Sequence, residues 1–184
     1  MEVIDVLKKY FNEVPEDPSK VDSSVCTNCT RCCCKMMGCH ISPEDLKEIS
    51  VESIINLIDE SKCISIDYWE GNPKTEEHGY RGYYLRMRNR GSYTIDPAYR
   101  GVCMLLSDTG CLLSFSYRPK GARELIPNPT DDCYAGYTKQ QCAIDWMDYE
   151  DIMKQVYQHY HDLGDEKENS IADIILGGLL FGGM

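Results

Sequence analysis

The sequence predicts an α+β fold: a small, cysteine-rich, metal-organised domain with several helices and short β-hairpins. Three observations carry that reading. Eleven cysteines stand among 184 residues, six of them between Cys26 and Cys39. Apolar residues recur at helical spacing in three separated places, while two short stretches between them carry strand and turn signals. No self-similar period and no regular alternation of strands with helices is present, which argues against a solenoid or a parallel sheet.

The elements follow in order. Val3, Leu7, Tyr10, Phe11 and Val14 share one helical stripe and predict an amphipathic helix over residues 1–14. Pro15 and Pro18 end it, because each removes a backbone donor and biases its predecessor away from helical angles. After the cysteine run, Ser42-Pro43-Glu44-Asp45 reads as a helix start, with a capping serine, a proline suited to the first position and acids in the first turn. Leu46, Ile49, Ile54, Ile55, Leu57 and Ile58 carry that helix to about Glu60, with Ser50 placed as a second cap where it breaks and restarts.

Between residues 80 and 95, Tyr83, Leu85 and Met87 alternate with Tyr84, Arg86 and Arg88 ahead of the turn Asn89-Arg90-Gly91, predicting a hairpin. Arg81, Arg86, Arg88 and Arg90 are four of the nineteen bases; they read as a solvated face, the alternative being a grip on an anionic ligand or acidic partner. A second hairpin pairs residues 102–106 with 111–115 across Ser107-Asp108-Thr109-Gly110 and is expected to hold Cys103 and Cys111 near each other. Cys142, Trp146, Tyr149, Met153, Val156 and Tyr160 predict a C-terminal helix over about 139–161. It closes a single domain spanning 1–170, followed by an apolar, glycine-rich tail over 171–184 that is too short to cross a bilayer.

The formal charge of −11 lacks the phosphate attraction that dominates nucleic-acid affinity, so no nucleic-acid partner is expected. The N-terminus has no basic stretch followed by an apolar run and a small-residue cleavage site, so the expected location is the cytoplasm, with no transmembrane segment. Thiols stay reduced there. Clustered cysteines then read as metal ligands or redox groups before disulfides.

The chemistry sits in Cys26-Thr27-Asn28-Cys29-Thr30-Arg31-Cys32-Cys33-Cys34, followed by Cys39-His40. Two intervening residues let a turn bring successive sulfurs onto one ion while its backbone amides point at them. The same spacing supplies the first three ligands of a bacterial-type four-iron cluster, so zinc and iron–sulfur both fit Cys26, Cys29 and Cys32. Four thiolates leave net negative charge around either centre, which Arg31 and Lys35 are placed to offset. Cys33 adjoins Cys32 and points elsewhere in an extended chain, so one centre or two is left open. Cys34, Cys39 and His40 are undecided as ligands, whereas Cys63 at a helix end and Cys142 on an apolar stripe read as small core residues.

These residues resemble the CxxCxxCC cysteine-cluster proteins, the YkgJ-like family described as zinc- or iron-chelating. Cys26 to Cys33 reproduces the C-x2-C-x2-C-C signature, and Ile41-Ser42-Pro43-Glu44-Asp45-Leu46 is similar to the helix start that follows it. Gly101-Val102-Cys103-Met104-Leu105-Leu106 and Thr109-Gly110-Cys111 resemble the family's second cysteine pair, and Tyr117-Arg118-Pro119 its arginine–proline element. The likeness covers about residues 26–127 and implies that Cys103 and Cys111 join the ligand set. The chain departs from the pattern at Ala122, where the family has a cysteine; Cys133 is the nearest thiol to replace it. It departs again at Thr30, where glycine is usual in the knuckle; Asn28 is the residue suited to an unusual backbone angle there.

The resemblance thus implies an iron–sulfur or zinc protein. Because the family includes flagellin lysine N-methylases, it also implies an alternative, a methyltransferase acting on lysines of a partner protein. The residues lend that alternative little, since no strand–GxGxxG–helix unit and no C-x3-C-x2-C triplet occurs. A thiol oxidoreductase using Cys26 and Cys29 is disfavoured, because that chemistry wants the pair at a helix N-terminus after a strand.

Overall fold

A computed structural model of the chain describes residues 2–16, 39–75, 77–97, 101–108, 110–126 and 134–164. Helices α1 (Val3–Tyr10), α2 (Val51–Ser61), α3 (Lys120–Arg123), α4 (Lys139–Asp145) and α5 (Glu150–Asp162) surround three small antiparallel sheets. The largest holds β1 (His40–Ile41), β2 (Ile64–Glu70) and β3 (Arg81–Met87) in the order β1-β3-β2. β4 (Leu106–Ser107) pairs with β5 (Gly110–Cys111), and β6 (Leu125–Ile126) with β7 (Tyr134–Ala135). The α+β class is as expected.

Strand alternation gives the main sheet two faces. Register pairs Ile64 with Met87 and Ile66 with Leu85, and Leu85 with Ile41, so one face is aliphatic. It is buried against Ile54, Leu57 and Ile58 of α2 and Met153, Val156 and Tyr160 of α5. Tyr83 packs on Tyr157 of α5 with the rings tilted by 32° and their centroids 4.6 Å apart, which helps hold that helix over this face. The other face carries His40, Ser65, Asp67, Tyr84 and Arg86. Helix α4 covers it: a Cβ on Gly82 would stand 3.5 Å from that of Ala143, and Lys139 reaches Asp67.

Several boundaries differ from the sequence reading. Helix α1 ends at Tyr10, because Phe11 leaves helical angles to bridge Leu46 while Lys47 N donates to the Tyr10 carbonyl at 2.9 Å. Residues Pro43–Asp45 form one 3-10 turn closed by a capping box, and the long helix begins at Ser50, whose hydroxyl accepts from Ser53 N at 3.1 Å. Lys62, at φ +56°, ends α2 in the left-handed conformation and turns the chain into β2.

The hairpin expected over 80–95 forms differently. β3 pairs with β1 on one side and β2 on the other, and the Asn89–Gly91 turn carries the chain to the outer edge of β2, where Ile66 N donates to Thr94 O at 2.7 Å. The C-terminal helix is split into α4 and α5 by a 3-10 turn over Trp146–Tyr149. There Trp146 Nε1 donates to the Ile41 carbonyl at 2.7 Å and Cys142 Sγ lies 3.4 Å from the same oxygen, so Cys142 is wholly buried in the core. No described helix is long and apolar enough to cross a membrane.

Candidate functional site

The C-terminal end of β3 collects cysteines through its backbone. Met87 N donates to the Cys39 carbonyl at 2.9 Å, Arg88 N donates to the Cys63 carbonyl at 2.7 Å, and Asn89 bridges Cys103 in antiparallel sense. Arg90 N to Val102 O, 2.7 Å, and Met104 N to Arg88 O, 3.0 Å, extend that contact on both sides of Cys103. Three consecutive residues thus seat three cysteine-bearing segments. Arginine side chains lock the arrangement: Arg88 Nε donates to Ile64 O at 3.0 Å and its Nη2 to Thr94 Oγ1, while Arg90 Nη2 donates to Leu106 O.

Cys63 is fully buried and Cys103 nearly so. Burial pushes the Cys63 thiol up to about 11, and the neighbouring Cys103 thiol raises it further; Ser61, Arg88 and its own backbone N–H act in the opposite sense. Cys63 is therefore a neutral thiol at physiological pH. Cys111 is half-buried on β5, paired with Leu106. Cys103 lies outside that ladder, its carbonyl accepting from Leu106 N at 3.1 Å.

Of the sequence-derived ligands, Cys103 and Cys111 are described, whereas Cys26, Cys29, Cys32, Cys33 and Cys133 lie outside the described residues. The described flanks of the cysteine run are both held. On the N-terminal side Val14 N donates to Ser116 O at 2.9 Å and Tyr117 donates to Glu13, 2.9 Å; on the C-terminal side Cys39 is tied to Met87. Among the described residues no group of three or more His, Cys, Asp or Glu is arranged to hold a metal ion.

The polar face of the sheet was not expected. Arg86, assigned by alternation to a solvated face, is fully buried: Nε contacts Asp67 Oδ2 at 3.1 Å, Nη1 donates to Met87 O at 3.2 Å and Nη2 to Asp96 O. Lys139 Nζ lies 3.6 Å from Asp67 Oδ1. His40 meets Tyr84 edge-on at 5.5 Å, and its ring bonds to the Tyr137 backbone. Burial holds the imidazole down at about 4, against the pull of Asp67 and with help from Arg86 and Lys139, so it is neutral. His40 Nε2 is buried with no hydrogen-bond partner among the described residues, and the Tyr84 hydroxyl is buried beside Asp67. The signal for this layer is the lone Asp67 within the alternating Ile64-Ser65-Ile66-Asp67-Tyr68.

Two of the separated sequence pieces also meet. Asp45 Oδ2 accepts from Ser42 N at 2.8 Å and from Lys120 N at 2.9 Å, while Oδ1 lies 2.9 Å from Arg123 Nη1. Arg123 Nη1 also donates to Arg118 O. Asp45 thus joins the Ser42–Asp45 turn to the segment after Tyr117-Arg118-Pro119, next to Ala122. Beside it, an open cleft of about 820 Å3 is lined by Lys47, Lys74 and Lys120 together with Glu44, Glu48 and Asp145, a mixture of signs that favours neither anion nor cation. Comparison with protein-family models, curated proteins and solved structures gives no match.

Proposed function

We propose that the chain is a metal-binding cysteine-cluster protein that coordinates an iron–sulfur cluster or zinc through Cys26, Cys29, Cys32, Cys33, Cys103, Cys111 and Cys133. The observation that carries the reading is the C-x2-C-x2-C-C run, whose spacing suits consecutive thiolates on one centre. The backbone bonds that bring the segments bearing Cys39, Cys63 and Cys103 to the end of β3 support it. A bound centre supplies folding free energy directly, and electron transfer as well if it is iron–sulfur. The chain's own contribution is to gather soft donors and to offset their charge. The protein works in the reducing cytoplasm, where thiols persist as ligands, and its partner is a protein rather than nucleic acid.

Full-length protein purified without oxygen is expected to hold near-stoichiometric metal: colourless with zinc, or brown with iron and acid-labile sulfide. Well-folded protein containing only trace zinc and trace iron overturns the reading.

A further inference from the structure

We propose that Arg90 is a positioning residue for the metal centre: its guanidinium holds the hairpin that carries Cys103 and Cys111 against the end of β3. The inference rests on the metal-binding reading above and names the side chain that sets where two of its ligands stand.

The hairpin cannot place itself. Its ladder has two residues on each strand, Leu106–Ser107 and Gly110–Cys111, and so short a pair has no independent stability. Leu106 is its junction. Leu106 N donates to the Cys103 carbonyl at 3.1 Å, and Leu106 stands opposite Cys111 in the ladder. A group that holds Leu106 therefore sets the backbone of both cysteines.

Arg90 is that group. Its backbone is fixed in the Asn89–Ser92 turn, which is closed by Ser92 N donating to Asn89 O at 3.1 Å and has Gly91 at φ +77°. From there Arg90 N donates to Val102 O at 2.7 Å and Arg90 Nη2 donates to Leu106 O, so one residue grips the chain on both sides of Cys103. Arg86 is enclosed and serves the core, whereas the Arg90 side chain is exposed, so substituting it leaves the core packing intact. The chain after β5 is tied separately, by Arg118 Nε donating to Leu113 O at 3.2 Å. Loss of the Arg90 guanidinium then frees the Cys103 side of the hairpin in a protein that is still folded.

The test uses the full chain, stripped of metal without oxygen, titrated with Co2+ and then with Zn2+ in competition with a chelator. Arg90→Met keeps the apolar stem and removes the donor; it is expected to bind Zn2+ about 10-fold more weakly and to weaken the sulfur-to-cobalt charge-transfer band. Arg90→Lys restores a donor and is expected to stay within about threefold of the wild type. Arg81→Met is the control, an exposed arginine whose partners are Glu70 and Tyr68, and is expected to match the wild type. Circular dichroism checks the fold, and Arg90→Gln, whose amide is too short to reach, replaces the methionine variant if that one does not fold. A folded variant without the donor that keeps wild-type affinity and spectrum overturns the positioning role alone, as does a lysine variant as weak as the methionine one. Absence of charge-transfer absorbance in the wild type overturns the metal-binding reading with it.

Discussion

Arg86 and Asp67 show how much a single buried charge depends on its partner. Taking both ions out of water carries a large desolvation cost, which their 3.1 Å contact and the carbonyls of Met87 and Asp96 offset. Asp67→Ala removes the carboxylate and leaves the guanidinium enclosed, so a loss of about 3–5 kcal/mol is expected in urea unfolding, whereas the exposed Lys62–Asp59 pair is expected to contribute under 1 kcal/mol when broken. His40 gives a second prediction. Its folded value, near 4, lies below the ordinary 6.5, so the folded state binds the proton more weakly than the unfolded chain does. The full stabilisation is present above pH 6.5 and is lost as pH falls toward about 4, an effect of about 3 kcal/mol. Unfolding midpoints measured across that window should fall in the wild type and flatten in His40→Asn. Glu60 and Glu150, held below their usual range by Lys9 and Lys154, act only at lower pH.

At the scale of elements, the cap at Ser50 is the simplest to test. Its hydroxyl satisfies the Ser53 N–H at the start of α2, and Ser50→Ala is expected to cost about 1 kcal/mol in thermal or chemical unfolding without altering the sheet. That cap was legible because serine before a helical stripe has a local meaning. The second hairpin was legible only at its turn, since the ladder pairs Leu106 with Cys111 and Ser107 with Gly110, and residues 102–105 and 112–115 are not part of it. Strand β2 was harder. Ile64, Ile66 and Tyr68 do alternate with Ser65 and Asp67, but such a pattern describes a sheet with one wet face, and here α4 arrives more than seventy residues later to bury the second. The arginine face failed on the same point: alternation assigned Arg86 a side of the strand, not what would cover it. Of the candidate site, the knuckle spacing was readable, while the gathering of the Cys39, Cys63 and Cys103 segments at the end of β3 depends on strand pairings that no local pattern encodes.

At the scale of the molecule, contacts between distant parts of the chain tie the elements together. Tyr10 and Lys9 reach Glu60, Trp146 reaches Ile41, Tyr160 reaches Asp59, and Tyr80 reaches Glu150. Folds of this kind search longer before their pairings reward them. The Asp45 junction makes the point in terms of synthesis. Its carboxylate draws on Lys120, seventy-five positions downstream, and Gly121 packs so closely that a Cβ there would stand 2.7 Å from His40 N. A ribosome-bound chain that has not yet delivered this stretch leaves the acid of Asp45 half-satisfied and the His40 backbone uncovered. The Ser42–Asp45 turn therefore completes its bonds only once the Lys120 segment has emerged.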